Sequence, residues 1–294
     1  MKIRAVLLFA GLSILPALGA TPEEDWKARL ASQNASFATK PHSMLKIQDV
    51  VYIGEGDEIT LAGTKGVAAS WLWHNNGNTE GPLHIALNHG KLSVTLNGKP
   101  VDGIEKSIPI DTDVDVSGEE TPIAAHVNGW RFWVYNQKAP AALSFTGLAY
   151  FPYDPSFRVT GHFTPDPTLA TQTFHTSRGS DKDYYHIGDV SFTLKGHKLN
   201  LPFYARSNDP AKVKSGQGFF TDALTGKGAY GAGRYINIDY QNSAHDVVLD
   251  FNTAYNPDCA RSPYWTCPLT DLYFDVPITV GERDPHSLHE QHEG

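Results

Sequence analysis

The chain has 294 residues, with 24 Lys and Arg against 32 Asp and Glu, a formal net charge of −8. That balance repels phosphate backbones and anionic membrane surfaces, which argues against nucleic acid as a partner. Hydrophobic residues at 40% and aromatics at 11% supply a core for one large domain or two ordinary ones.

The chain opens Met1-Lys2-Ile3-Arg4, continues as the uncharged run AVLLFAGLSIL and exits through PALGA. A basic start, a short apolar core and small residues predict a secretory signal peptide, cleaved after Ala20 or, alternatively, after Gly19. The apolar run is too short to span a bilayer, and no cysteine near the break offers a lipid attachment point. The expectation is an exported protein, periplasmic or secreted, with no membrane anchor after cleavage. Next comes a helix near residues 22–38: Thr21 caps, Pro22 fits the first turn and three acids follow, with Trp26, Leu30 and Phe37 as its stripe. Asn34-Ala35-Ser36 has the form of a glycosylation sequon.

From Leu45 the pattern turns to alternation. KLSVTLNGKPV reads as a hairpin about Asn97-Gly98. SIPIDTDVDV alternates apolar residues with Asp111, Asp113 and Asp115, which predicts the wet face of one strand rather than a calcium loop, because a calcium loop's glycine and glutamate positions hold Val116 and Pro122. Punctuation by Gly, Pro and Asn about every ten residues predicts a mainly β chain of two packed antiparallel regions, sandwich-like or barrel-like. The expected division is a helix and linker over 21–44, a β-rich region over 45–140, a core β domain over 141–283 and a loose tail over 284–294. The tail's His286, His289 and His292 lack a rigid scaffold, and no resident metal or cofactor is expected. GKGAYG, residues 226–231, matches a dinucleotide fingerprint literally, yet an alternating strand and not a helix follows it, so a glycine-rich turn is predicted.

The richest segment is DFNTAYNPDCARSPYWTCPL, residues 250–269, which holds both cysteines. Cys259 and Cys267 lack the paired spacing of a zinc site, and an even count in an exported chain predicts a disulfide. GRYINIDY and HDVVLDF are joined by QNSAH and so predict a hairpin that sets Arg234 opposite Asn252 and near Asp250. Such a cluster either binds an anionic or sugar-like ligand or forms a buried ion pair that locks register. The candidate ligand-binding residues are Arg234, Asp250, Asn252, Asn256, Tyr255, Tyr230 and Asp222.

FTGLAYFPYDPSFRV (145–159), TDALTGKGAYGAGRYI (221–236), LDFNTAYNPDCA (249–260), CPL (267–269) and Gly281-Glu282 together resemble the uncharacterised prokaryotic family known as domain of unknown function 1684, over about residues 45–283. The sequence departs from the family pattern at Gly228-Ala229, where an acid–threonine pair is usual, and near Tyr273-Phe274-Asp275, where an Asn-Arg-Leu segment is usual. The resemblance also implies a β-rich region ahead of the core that is faintly similar to forkhead-associated domains; LNGKPVDG resembles that fold's closing hairpin, without the arginine and serine arrangement that reads phosphothreonine. Three functions stay open: a binding protein for a small polar ligand, a hydrolase using Asp250 as base or nucleophile with Tyr230 or Tyr255 as proton donor, and a structural or envelope-interaction protein.

Overall fold

The computed structural model describes residues 20–75, 79–124, 127–177, 179 and 181–286. The leader through residue 19 and the tail from 287, with His289 and His292, lie outside the described residues. Helix α1 (Pro22–Thr39) starts as its sequence dictates. Thr21 accepts the Glu24 N–H, and the Glu24 carboxylate in turn accepts the Thr21 N–H at 2.7 Å, closing a capping box. Asn34 of the sequon is engaged in the fold, its Oδ1 accepting the Leu148 N–H at 2.8 Å.

The first β region comprises β1 (Ile47–Ile53), β2 (Glu58–Ala62), β3 (Leu72–His74), β4 (Leu83–Asn88), β5 (Lys91–Leu96), β6 (Lys99–Pro100), β7 (Ile108–Asp111), β8 (Val114–Ala124) and β9 (Val127–Asn136). Among the described residues one sheet runs β1-β9-β8-β7 and the other β3-β2-β4-β5-β6. Their apolar faces share one core, with Ile53, Val116 and Phe132 from the first sheet and Leu61, Leu83 and Ile85 from the second. Asn97 and Gly98 have φ of 51° and 75°, the mirror-image turn that matches strand twist in a two-residue hairpin. SIPIDTDVDV is not one strand. Asp111 accepts the Thr112 N–H at 2.8 Å and the Gly66 N–H at 2.6 Å, and the chain reverses so that Asp111 pairs with Val114. Both arms of this hairpin keep the same parity, and the alternation hides the turn.

After the short helix α2 (Pro140–Leu143) come β10 (Arg158–Pro165), β11 (Thr171–His175), β12 (Asp181–Leu194), β13 (His197–Ala205), β14 (Ser215–Asp222), β15 (Arg234–Asp239), β16 (His245–Asp250) and β17 (Tyr273–Phe274). Among the described residues their sheet runs β15-β14-β13-β12-β10-β16, with β11 on β12 and β17 parallel to β14. β15 and β16 therefore do not form a hairpin; they are the two ends of the sheet. Six flat strands would set these ends about 24 Å apart. The linker, residues 240–244, reaches only about 20 Å. The sheet must curl into a half-barrel, and Phe163 of β10 accordingly meets both Tyr240 and His245. Its inner face buries Phe163, Leu201, Phe203, Phe220, Ile236 and Leu249. Helix α1 lies over the open seam, where the Trp26 indole N–H donates to the Asn252 carbonyl at 2.9 Å.

Candidate binding basin

The residues singled out by sequence fall into separate places. Arg234 is 1% exposed and faces the core. It donates to Asp222 Oδ2 at 2.5 Å, to the Ile278 carbonyl at 2.9 Å and to the Val280 carbonyl. Asp222 also accepts the Leu224 N–H at 2.7 Å. The expected contact of Arg234 with Asp250, Asn252 or Asn256 is absent, because β15 pairs with β14, placing Arg234 opposite Phe220. This ion pair locks the segment near residue 280 to the sheet and offers a ligand nothing.

Asp250 caps the turn Phe251–Thr253: its Oδ1 accepts the Asn252 backbone N–H at 3.0 Å and the Asn252 Nδ2 at 2.8 Å. Asn252 in turn ties to Asp154 through N–H and carbonyl at 2.8 and 3.0 Å. Oδ1 of Asp250 is thus taken up in structure, and Oδ2 lies 3.6 Å from Arg158 Nε at the seam. Asn256 donates to the Arg283 carbonyl at 2.7 Å and to Glu282 at 2.9 Å, and Glu282 is salt-bridged to Arg261 in a buried pair. Three latches stand where one site was expected.

The opposite, outer face of the half-barrel is different. In SGQGFFTD of β14, Gly216 and Gly218 face the core, where a Cβ on Gly216 would meet Ile187 Cδ1 at 2.4 Å. That close approach leaves Gln217 and Phe219 pointing outward. By the same alternation β15 presents Tyr235 and Asn237, β13 presents Tyr204, and β12 presents Lys182 and Tyr184. The rings make a platform: Tyr204 stacks on Phe219 with centroids 5.7 Å apart and planes 2° apart, and Phe174 meets both edge-on. Tyr255 closes one side, exchanging backbone hydrogen bonds with Tyr235 at 2.8 and 2.9 Å. Its hydroxyl donates to Asn237 Oδ1 at 3.0 Å and accepts from Gln217 Nε2 at 2.5 Å.

Two adjoining cavities open on this platform. One, of about 250 Å³, lies against Asp258, Trp265 and Cys267. The other, of about 390 Å³, extends toward Lys212 and Lys214. Tyr184, Arg206 and Gln217 line both. The exposed Arg206 guanidinium stands beside the Tyr184 hydroxyl. Burial, followed by the charges of Arg131 and Arg206, lowers the Lys182 ammonium to about 8. Burial raises the Asp258 carboxyl against the pull of Arg261, Arg206 and Arg131. Burial likewise raises the Tyr184 and Tyr255 phenols, so at neutral pH both keep the proton that lets them donate.

Of the residues picked from sequence, only Tyr255 reaches this basin directly, and Tyr230 lies beside the cysteines at its rim. Lys182, Arg206, Gln217, Asn237 and Asp258 were missed. Outward parity in DKDYY, SGQGFF and RYINID could have found Lys182, Gln217 and Asn237; Arg206 follows the end of β13 and Asp258 lies on a turn, and neither carries such a signal.

The expected disulfide is not formed. Cys259 and Cys267 are free thiols, the first half-buried and the second buried. Cys259 stands on the turn Asp258–Ala260, and its N–H donates to Cys267 Sγ at 3.3 Å. The two cysteines are therefore neighbours joined by this contact and not by a bond. Among the described residues no group of three His, Cys, Asp or Glu side chains is placed to hold a metal ion.

Fold and basin define a class: a mainly β protein whose curled antiparallel sheet carries a polar, aromatic basin on its outer face. Residues 143–283 match the family described as "Protein of unknown function (DUF1684)", and over that segment the chain belongs to it. The match does not include residues 45–142. The chain is similar to an uncharacterized protein of Haloarcula marismortui solved by solution NMR, at 32% identity over 47% of this chain and 77% of that one, with a TM-score of 0.41. No curated protein matches the chain.

Proposed function

We propose that this is an exported protein that binds a small organic anion in the outer-face basin, with Arg206 as the anchor. The supporting observation is that Arg206, Tyr184 and Gln217 line both cavities, so one ligand can span them with its charged group on the guanidinium. A planar guanidinium takes a carboxylate or phosphate bidentately. Lys182, Lys212 and Lys214 set a local positive field on a chain of net charge −8, which favours an anion. The phenols and the Gln217 and Asn237 amides suit the hydroxyls or the flat body of such a ligand. The larger cavity, at about 390 Å³, has the size of a small-ligand site.

The test is calorimetric titration of the protein with citrate, glucuronate and inorganic phosphate, repeated on Arg206→Ala. At least one anion binds the parent chain, and the variant weakens it roughly 10- to 100-fold, the worth of a charge-assisted hydrogen bond. Equal affinity in both proteins, or no binding by any of the three, would leave the outer face as an interaction surface without a ligand. Export is tested separately, by sequencing the N-terminus of the protein recovered outside the producing cell; a start at Thr21 is expected.

A further inference from the structure

The two thiols at the rim of the basin are arranged unequally. The Cys259 N–H donates to Cys267 Sγ at 3.3 Å, and Ser177 and Tyr230 stand beside Cys259. Ser177 is itself fixed there, its Oγ accepting the Cys267 N–H at 3.3 Å and its N–H donating to the Cys267 carbonyl at 3.0 Å. Tyr230 is carried in by the glycine-rich turn, with Gly226 and Gly228 at φ of 73° and 119°. Cys259 is partly open to solvent, whereas Cys267 lies behind it and is only 6% exposed. The seven residues between them contain one short turn and no strand, so the sulfurs can close the last ångströms without breaking a sheet.

We propose that Cys259 and Cys267 form an oxidisable dithiol, with Cys259 the thiolate that attacks hydroperoxides and Cys267 the thiol that resolves the product. The Cys259 sulfur attacks the terminal peroxide oxygen; the O–O bond breaks, and the leaving alkoxide or hydroxide takes a proton from Tyr230 or water. Sulfur is oxidised by two electrons to a sulfenic acid, and the peroxide is reduced to an alcohol or water. The Cys267 sulfur then attacks Cys259; the S–S bond forms, the S–OH bond breaks, and water departs with the Cys267 proton. The hydrogen bonds from Cys267, Ser177 and Tyr230 outweigh burial and hold Cys259 below the ordinary thiol range, whereas Cys267 is pushed up, first by its hydrogen bond to Cys259 and then by burial. Cys259, the more exposed of the two, is also the one a peroxide can reach. Such a pair differs from a permanent staple in cycling between dithiol and disulfide, and it does not depend on the anion-binding proposal.

The experiment treats the reduced full-length protein with one equivalent of hydrogen peroxide, quenches with N-ethylmaleimide and reads intact mass. The parent chain loses both alkylatable thiols together, and dithiothreitol restores them. Cys267→Ser accumulates a dimedone-trappable sulfenic acid on Cys259, and Cys259→Ser keeps its remaining thiol. In the untreated parent chain, Cys259 alkylates at pH 7 about tenfold faster than Cys267, which needs no variant to fold. Parent thiols that survive peroxide, a dimedone adduct on Cys267 instead, equal alkylation rates, or a bond that dithiothreitol fails to reduce would each overturn the proposal.

Discussion

Arg234 shows how a residue that looks like a ligand site can be a structural lock. Its guanidinium and Asp222 are 1% and 0% exposed as side chains, and the fork also serves two carbonyls. Arg234→Ala leaves a buried carboxylate alone, and chemical denaturation should show a loss of about 3 kcal/mol. Arg234→Lys should recover little of it, because a point charge cannot reproduce the fork. Asp258 behaves in the opposite sense. Burial raises its folded-state value above that of the unfolded chain, so its contribution is most favourable at low pH and is lost as pH rises through the raised value. Asp258→Asn, which mimics the neutral acid, should therefore match the parent melting temperature near pH 3.5 and exceed it at pH 7. A parent chain that melts higher at pH 7 would show that the carboxylate is held by a stabilising partner. The sequence displayed Arg234 and Asp250 prominently and concealed Arg206, since motif density marks what the fold needs as readily as what a ligand needs.

At the scale of elements, legibility followed locality. The capping box of α1 and the Asn97-Gly98 hairpin depend on neighbours three or two residues away, and both form as their sequence predicts. The β15–β16 pairing failed because a five-residue linker is equally compatible with a tight hairpin and with the closing gap of a curled sheet. Only the partners of β14 and β10 decide between them, and those lie far along the chain. The disulfide failed for a related reason: compartment and count predict pairing, but the turn Asp258–Ala260 sets the two sulfurs in contact without a bond. Helix α1 is held to the seam mainly through Trp26, which meets Tyr150 and Tyr153 at 6.0 and 5.6 Å and donates to Asn252. Trp26→Ala should raise hydrogen exchange across residues 22–39 while leaving β10–β15 protected. Uniform loss of protection would mean that the helix belongs to the barrel's cooperative unit.

Across the whole molecule, two separately filled β cores meet at a small aromatic junction. Arg131 of β9 lies between the rings of Trp133 and Trp265, at 4.4 and 4.5 Å, and is paired with Glu119. Tyr264 donates to the Gln48 carbonyl alongside. Trp265 also walls the smaller cavity, so the sandwich braces one side of the basin through this stack. Arg131→Ala should separate thermal unfolding into two transitions and weaken anion binding without touching a ligand contact; a single unsplit transition would show that the two cores are coupled elsewhere. The mainly β architecture was readable from alternation and punctuation. The basin was not, because its members come from four strands and a turn that only the curl of the sheet brings together.

We place the ligand on the outer face of the half-barrel, anchored at Arg206. Side-chain nitrogen–proton correlation spectra during titration with the best-bound of the three anions test this placement most directly. Saturable shifts of the Arg206 Nε, Gln217 Nε2 and Asn237 Nδ2 signals are expected, with Arg234 Nε unmoved. Shifts confined to Arg29 and Arg158 at the seam pocket, or to Arg234, with the Arg206, Gln217 and Asn237 signals still, would contradict it.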